Sequence, residues 1–473
     1  MQQLSGLDNS FLAMETPAFY GHVSSVSIFE PGSITIEAVK ALVAQRIHLV
    51  PPFRRRLVEV PLGLDHPYWI EDPDFDLDFH IRHIAVPSPG DEYQLAELCA
   101  RIAARHLDRS RPLWEMYIIE GLEGGYVAEL TKIHHACIDG VSGAEILGVL
   151  LDIEPNPPTT PEPETPWQAE AEPSQWSMLS RGIFGMMSRP RVGLRLVRKT
   201  LSNGPALARN FSVSIAPPRP SQLLSRPSEP TPPAPFSGMI TPHRRFAFGS
   251  LPMSDVKFVK NALGGTVNDV VMSMCAGALR RWLLDNDALP AGPLHAMVPV
   301  SVRTQEQVGT FGNRVSAMVA ALPTDEPDAV ERFRRMHDEM NVAKEQHGAI
   351  PADLLQDFAQ FTPPGVLGTA SRVIARAKIL DHINVPFNVV ISNVPGPQFP
   401  LYSAGAKLKG IYPLSAISDG AGLNMTLMSY NGNLDFGLLA DWAMVPDIWN
   451  LIGALADELG ELKKAAEAIT EPA

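Results

Sequence analysis

The sequence of 473 residues has few cysteines and no long apolar run. Its three cysteines, Cys99, Cys137 and Cys275, are widely spaced and odd in number, which argues against a disulfide framework and favours a reducing compartment. No stretch of about 18 apolar residues is present, so the sequence predicts no membrane-spanning helix. The first residues lack the basic and then apolar pattern of a secretory signal. We therefore expect a cytoplasmic protein.

Basic residues and metal-ligand motifs are also scarce. The sequence has 39 Lys and Arg against 52 Asp and Glu, a net charge of −13, which argues against a general nucleic-acid-binding protein. Because H-E-x-x-H, H-x-x-x-H and C-x-x-C are missing, we expect no metal site. Because G-x-S-x-G is missing, a serine acyl-enzyme has no support either.

The most informative feature present is the stretch from Ile133 to Gly140, which reads IHHACIDG. Two adjacent histidines are followed by an aspartate and a glycine in the pattern H-H-x-x-x-D-G. The preceding residues, Tyr126–Ile133, predict a strand, and Val141–Leu151 predict an apolar helix. The motif is therefore expected at a strand end, in a turn that leads into a helix, where α/β folds commonly expose catalytic groups.

The residue types in this motif indicate acid–base chemistry. Neighbouring strand residues face opposite sides, so we expect either His134 or His135 to enter a cleft and the other to pack behind it. A neutral imidazole with a pKa of about 6.5 can accept a hydroxyl proton, a step that contributes about 10²–10⁴-fold. Asp139 can turn back to hold the motif, and Gly140 permits a tight turn.

Other interpretations of the motif stay open on the residues alone. The histidines can be a packed pair and Asp139 a helix cap. A metal site is a weaker alternative, because histidines on opposite faces chelate poorly. Cys137 is a candidate thiol nucleophile, but it follows the histidines too closely for an easy Cys–His pair.

Several further blocks, taken with the histidine motif, resemble the bacterial wax ester synthase/diacylglycerol acyltransferase family, and triacylglycerol synthases in particular. They occur in the family's order and cover nearly the whole chain outside residues 155–235. The blocks are LSGLDNSFL at 4–12, DPDFDL at 72–77, LDRSRPLWE at 107–115, TVNDV at 266–270, VPVSVR at 298–303, SNVPGP at 392–397 and GLLAD at 437–441.

The resemblance implies an α/β fold and an acyl-transfer reaction. The family belongs to the superfamily of chloramphenicol acetyltransferase and peptide-synthetase condensation domains. Its fold implies two similar α/β sandwich domains with the active-site channel between them. His135 is then the base that deprotonates the acceptor hydroxyl, which attacks an acyl-CoA thioester. Acyl-CoA is consumed as a substrate, so no cofactor and no metal are expected.

The resemblance also suggests supporting residues, each with a structural alternative. Asp139 is implied to be mainly structural and paired with an arginine, for which Arg54 and Arg56 are candidates; both can equally be surface arginines. Asn268 and Ser392 are candidate substrate-binding residues or oxyanion stabilisers. A capping box formed by Thr266 and Asp269 explains that block equally well. Trp114 is a substrate-binding candidate or, preferably, a core residue. The Asp435-Phe436-Gly437 triplet is expected to be structural.

Composition divides the chain into three parts. Residues 1–153 carry the histidine motif on alternating strand and helix patterns, and residues 237–473 form a second α/β domain. Between them, residues 154–236 contain two Pro-rich runs that predict an extended crossover linker. Its central segment, Met178–Arg209, combines arginines with apolar residues and contains no acid. It predicts docking on an anionic membrane or lipid-droplet surface, with a crossover packed on the protein as the alternative.

The periodicity also predicts individual elements in each half. The predicted strands are Val23–Phe29, Met116–Glu120, Tyr126–Ile133, His295–Val300, Arg314–Leu322, Asn388–Asn393, Met425–Ser429 and Asn433–Ala440; the predicted helices are Glu37–Arg46, Asp91–Leu107, Val267–Leu284, Asp328–Gln346 and Asp447–Ala468.

From these residues and the resemblance we expect a cytoplasmic O-acyltransferase peripherally associated with the inner membrane or lipid droplets. It is expected to move a long acyl chain from acyl-CoA to diacylglycerol, which gives triacylglycerol. Fatty alcohol, which gives a wax ester, is the second acceptor. Condensation-like acylation of another lipid hydroxyl and an inactive lipid-droplet binding protein are the alternatives.

Overall fold

The computed structural model describes residues 1–32, 34–138, 146–158, 160–163, 167–184, 231–301, 315–348 and 385–470. Asp139, Gly140 and Arg303 lie outside these residues. The same holds for most of the predicted linker and for residues 185–209 of the basic segment.

The described residues form alternating strands and helices. The strands are β1 (Gln2–Gln3), β2 (His22–Phe29), β3 (Arg55–Val58), β4 (Tyr68–Glu71), β5 (Ile81–Ala85), β6 (Trp114–Glu120), β7 (Val127–His134), β8 (Arg244–Pro252), β9 (Leu294–Ser301), β10 (Val315–Leu322), β11 (Val389–Val394), β12 (Tyr402–Ser403), β13 (Ala406–Leu414), β14 (Leu423–Tyr430) and β15 (Asn433–Asp441). The helices are α1 (Gly6–Met14), α2 (Ile36–Arg46), α3 (Leu77–His80), α4 (Glu92–Ala103), α5 (146–150), α6 (175–184), α7 (Met253–Leu263), α8 (Val267–Asp285), α9 (Ala329–Gly348) and α10 (Trp449–Thr470).

A six-stranded sheet in the order β12-β13-β2-β7-β6-β5 carries the histidine motif at the end of its inner strand β7. β7 pairs antiparallel with both β2 and β6. Its residues alternate between two buried faces: Leu130 belongs to the apolar cluster that includes α4, and Ile133 belongs to the cluster on the other face. Because both neighbours hold β7 by its backbone, the position of the motif is fixed by the sheet.

The second six-stranded sheet has the order β10-β9-β11-β14-β15-β8, and α7 to α10 supply much of the core beside it. Helix α8 begins with the predicted capping box, in which Thr266 and Asp269 bond each other's backbone N–H groups. Its middle is buried on nearly every side. A Cβ on Gly277 would lie 2.0 Å from a carboxylate oxygen of Glu458 on α10, so only glycine permits this approach.

Strand β13 comes from the second half of the chain but belongs to the first sheet. Its residues Leu408 to Leu414 pair antiparallel with Phe29 to Ser24 of β2. The division at residues 153 and 237 therefore does not describe sheet membership, because residues 402–414 complete the sheet that carries the histidine motif. Sequence periodicity shows that a segment is a strand, but not which sheet it joins.

A buried carboxylate on β15 of the second six-stranded sheet contacts β13 of the first. Asp435 is fully buried and accepts hydrogen bonds from the Ser250 hydroxyl (2.6 Å) and from the backbone N–H of Ile411 on β13 (2.9 Å). A Cβ on Gly437 would lie 1.7 Å from the carbonyl oxygen of Pro413, so glycine permits the close contact. The Asp435-Phe436-Gly437 triplet thus has structural contacts, as predicted.

Within the described residues the predicted elements are present, with shifted ends. The helix predicted over Asp91–Leu107 is Glu92–Ala103, because Asp91 is its N-cap and Lys132 donates to the carbonyl oxygens of Ile102 and Arg105 at its other end. The mixed α/β class is confirmed by the two sheets and the helices packed on them.

No single helix in the described ranges is long and apolar enough to span a bilayer, although α7 and α8 pass that test as a pair bent by 102°.

Replacing Asp435 with Asn should reduce the pH dependence of stability. Burial raises the pKa of Asp435 from 3.8 to about 6, so the folded chain binds this proton more tightly than the unfolded chain. The free energy of unfolding should therefore fall as the pH rises from about 4 to 6, by on the order of 3 kcal/mol. Urea unfolding at several pH values measures the free energy of unfolding of both proteins. The difference in this free energy between wild type and Asp435→Asn should change by the same amount between pH 4 and 6.

The matched control is Asp287→Asn, the same substitution at an exposed acid. A constant difference for Asp435→Asn would contradict the assignment of a raised pKa to Asp435.

Candidate functional site

The last residues of β7 place the two histidines at the junction of β2, β6 and α1. His134 pairs with His22 in the ladder, and its N–H donates to the carbonyl oxygen of Leu113. The N–H of His135 donates to the carbonyl oxygen of Gly21 at 2.8 Å. The backbone of both histidines is therefore held by the ends of neighbouring strands.

His134 is the buried member of the pair. It is 1% exposed, and its Nδ1 accepts a hydrogen bond from the Ala136 N–H at 3.0 Å. The proton of the neutral ring therefore sits on Nε2, which lies 3.3 Å from a carboxylate oxygen of Glu15. Burial lowers the pKa of His134, so the ring is neutral at pH 7.

Glu15 connects His134 to the surrounding loops. It accepts hydrogen bonds from the Gly21 N–H (2.9 Å) and from the Arg109 guanidinium (2.6 Å). Burial alone would raise the pKa of Glu15, but contacts with His106, His134 and Gly21 hold it well below its usual range. The carboxylate therefore stays charged and orients the buried imidazole.

His135 is partly exposed and turned toward α1. Its ring stacks on Phe11 with ring centroids 4.7 Å apart. Its Nδ1 lies 3.3 Å from the carbonyl oxygen of Ile138. Because a carbonyl only accepts, Nδ1 carries the proton and Nε2 keeps its lone pair. This is the tautomer that a general base requires.

Sequence reasoning missed Phe11, Glu15 and Gly21 as parts of this site. Phe11 lies inside the LSGLDNSFL block, which offered a signal, but nothing local connects that block with residues more than a hundred positions later. Gly21 has a steric reason to be glycine, since a Cβ there would lie 2.6 Å from Nε2 of His134.

Cys137 has the properties of a packed residue. Its thiol is buried in the apolar cluster, and burial raises its pKa, so it is protonated at neutral pH. A neutral buried thiol is a poor nucleophile. No group of three or more His, Cys, Asp or Glu side chains able to hold a metal ion occurs in the described ranges.

The candidate arginine partners of Asp139 contact other carboxylates. Arg54 lies 3.8 Å from Glu71, and Arg56 lies 3.1 Å from Asp72. Since Asp139 is outside the described residues, its pairing with either arginine stays a prediction.

Trp114 is a core residue, so its candidacy as a substrate-binding residue is corrected. It is 1% exposed, and its ring is stacked between Phe53 (4.3 Å) and His80 (4.5 Å). Its Nε1 donates to the carbonyl oxygen of Phe53. Neither ring face is left for a substrate.

Asn268 and Ser392 lie on the second sheet and its helix. Asn268 is in the first turn of α8, and the Asn393 side chain donates to it at a long 3.5 Å. Ser392 is on β11, opposite Thr426 of β14. Both candidates are partly exposed.

One apolar cluster connects the histidine turn with the ends of β11 and β14. It contains Ala136, Cys137 and Ile138 from the turn, together with Met428 and, packed against it, Val394. The strand that carries Ser392 therefore ends at the same apolar cluster as the first half's motif.

Comparison with known proteins identifies the family. The wax ester synthase/diacylglycerol acyltransferase catalytic domain matches residues 4–271, and the C-terminal domain of the same family matches residues 311–463. The chain belongs to this family. The coverage by both domains agrees with the sequence blocks that suggested it.

A solved structure and a curated relative support the same family. The wax ester synthase/diacylglycerol acyltransferase of Marinobacter aquaeolei VT8 is 31% identical with a TM-score of 0.68, and the match covers 98% of this chain and 100% of that one. A Mycobacterium tuberculosis (strain CDC 1551) protein provisionally named diacylglycerol O-acyltransferase is 37% identical, covering 99% of this chain and 91% of its own. A starter condensation domain of rhizomide synthetase shares the fold at 13% identity, with a TM-score of 0.54 and coverage of 100% and 95%.

Glu15→Gln should destabilise the protein. The amide keeps the shape but removes the buried charge that Arg109 and His134 contact, so we expect the free energy of unfolding to fall by roughly 2–4 kcal/mol. Urea unfolding measures this loss. The matched variant is Glu59→Gln, because Glu59 approaches the same Arg109 only at 3.9 Å and is mostly exposed. Equal effects of the two variants would contradict the central role of Glu15.

Proposed function

We propose that the protein is an O-acyltransferase that moves a long-chain acyl group from acyl-CoA to the hydroxyl of diacylglycerol. The acceptor oxygen attacks the thioester carbonyl and forms the new C–O bond. The C–S bond breaks, and the CoA thiolate takes a proton. The products are triacylglycerol and free CoA.

His135 is the general base in this proposal, and its tautomer is the observation that carries it. With the proton on Nδ1, Nε2 can take the hydroxyl proton and later return it to the leaving thiolate. The other ring nitrogen is fixed by the carbonyl oxygen of Ile138. Stacking on Phe11 limits rotation of the ring.

The remaining motif residues have supporting roles. His134 shapes the turn from behind through its contact with Glu15. Asp139 is proposed to orient the base, and Gly140 to allow the tight turn. Asn268 or Ser392 is proposed to stabilise the oxyanion. The strand that carries Ser392 ends at the cluster that contains the histidine turn, and Asn393 on that strand contacts Asn268.

Diacylglycerol is proposed ahead of fatty alcohol as the acceptor, because the curated relatives of highest identity carry the name diacylglycerol O-acyltransferase. Fatty alcohol stays the second candidate, because the similar Marinobacter enzyme is named for both activities. An apolar channel is needed with either acceptor, since water would otherwise compete for the thioester.

His135→Ala should abolish thiol release from palmitoyl-CoA in the presence of dioleoylglycerol, with a loss of at least about 100-fold. His134→Ala should reduce the rate less, because this residue acts through packing. A thiol-reactive dye follows the reaction, and chromatography identifies triacylglycerol.

Cys137→Ala is the control, because a buried protonated thiol has no part in the chemistry. Full activity of a folded His135→Ala variant would refute the base assignment. If product formed only with hexadecanol, the acceptor would be a fatty alcohol and not diacylglycerol.

We also propose that the protein docks on an anionic lipid surface through α6 and the basic residues after it. Met178 and Gly182 of α6 pack against Val60, so this face of the helix is occupied. The other face leaves Trp176 and Phe184 81% and 73% exposed. Exposed aromatic side chains beside arginines are typical of interfacial helices.

Trp176→Ser combined with Phe184→Ser should weaken binding to liposomes of phosphatidylglycerol and phosphatidylcholine. Replacing the arginines of this segment with glutamate should have the same effect and should remove the salt dependence. Co-sedimentation measures binding, and Phe399→Ser, at another exposed aromatic residue, is the control. Unchanged sedimentation of both variants would refute the docking segment.

A further inference from the structure

Helix α1, which the LSGLDNSFL block builds, packs against the turn that holds the histidine motif. Ser5 is the N-cap of this helix, and its hydroxyl accepts a hydrogen bond from the Asp8 N–H at 3.1 Å. Leu4 and Leu12 belong to the apolar cluster that also contains Ile138 of the histidine turn. The block therefore holds α1 beside the end of β7.

Two residues of this helix, one turn apart, meet the two histidines. The ring of Phe11 stacks on the ring of His135, and a carboxylate oxygen of Glu15, the C-cap residue, lies 3.3 Å from Nε2 of His134. Residues four positions apart lie on the same face of a helix. One face of α1 therefore gives the buried histidine a carboxylate and the partly exposed histidine an aromatic ring.

The Phe11 ring presents its face to His135. The two ring centroids are 4.7 Å apart, and the ring planes are inclined by only 15°. The face of an aromatic ring carries the negative part of its quadrupole, and it attracts a cation that lies within about 6 Å of the ring centre. The contact therefore favours the imidazolium form of His135 over the neutral form.

This preference matters at the step in which His135 takes the proton of the acceptor hydroxyl. The ring gains a positive charge while the acceptor oxygen attacks the thioester. A group that favours the charged ring therefore acts more strongly in the transition state than in the ground state, which is the condition for a faster reaction. Phe11 itself exchanges no proton.

Several charged or titratable groups surround the same turn. They are Asp8 of α1, Glu15 at its C-cap, His22 of β2, His134 of β7, and His106 and Arg109 between α4 and β6. Asp139 lies outside the described residues. Replacing Phe11 with leucine alters none of these groups and keeps an apolar side chain beside His135, but removes the π-face. The substitution therefore isolates the effect of the aromatic ring.

We propose that Phe11 is a positioning residue that stabilises the protonated form of His135 during acyl transfer. This inference rests on the proposed function. It assigns to α1 a role in the reaction beyond packing, because one helix face supports the buried histidine through Glu15 and the base through Phe11.

The test is the pH dependence of kcat/KM for thiol release from palmitoyl-CoA in the presence of dioleoylglycerol. Activity should rise with pH as His135 loses its proton, and the midpoint of this rise reports the essential base of the free enzyme. In Phe11→Leu the charged ring loses a favourable contact, so the midpoint should fall by roughly half a pH unit. The plateau of kcat should fall about threefold, while KM stays close to that of wild type.

Phe75→Leu is the matched control, because Phe75 also stacks on a histidine, His80, at the same interplanar angle of 15°. His80 has no part in the proposed reaction, so the midpoint should equal that of wild type. Phe11→Tyr keeps the ring face and should also keep the wild-type midpoint. An unchanged midpoint in Phe11→Leu would overturn the proposal, and so would an equal fall in Phe75→Leu or in Phe11→Tyr.

A direct titration of His135 makes the test independent of turnover. In protein with isotope-labelled histidine, the NMR signal of His135 is assigned by its loss in His135→Gln, and it should titrate at a lower pH in Phe11→Leu than in wild type. If Phe11→Leu does not fold, Phe11→Met takes its place, because methionine is apolar, adapts to irregular space and has no π-face.

The two readouts separate this inference from the proposed function. If wild type releases no thiol from palmitoyl-CoA but the titration of His135 shifts in the variant, the proposed function fails and the Phe11–His135 interaction stands. If wild type is active and His135 titrates at the same pH in both proteins, the role of Phe11 is refuted and the proposed function stands.

Discussion

The pairing of β13 with β2 is the constraint on which the rest of the structure depends. It joins a strand from the second half of the chain to the sheet that carries the histidines, and Asp435 anchors the same strand to the other sheet. Neither half can therefore bury its own core completely without the other. A site at their junction is a consequence of this sharing, since the end of β7 and the strands of the second sheet meet there.

The adjacent histidines show how a regular strand places two residues of the same type in different chemical environments. Alternation sends His134 into the protein, where burial favours the neutral ring and its Nε2 lies 3.3 Å from Glu15. The same alternation leaves His135 partly exposed, with the opposite tautomer. Gly21 leaves room for the buried ring, because a Cβ there would lie 2.6 Å from Nε2 of His134. The difference between the rings is a property of their surroundings.

Buried charge has different consequences at different places in this protein. Glu15 and Arg109 satisfy each other beside the motif, and Asp435 has neutral donors and a raised pKa. Arg244 donates to backbone carbonyl oxygens and lies over the Tyr20 ring. The three arrangements serve the architecture of the protein.

The sequence by itself determined the α/β class, the order of strands and helices, and the pattern that marks the catalytic turn. These follow from periodicity and from short motifs, which are local properties. Tertiary structure alone decided that β13 belongs to the first sheet and that Glu15 lies behind His134. Such facts depend on contacts between residues far apart in the chain, and no local pattern records which distant segments will meet.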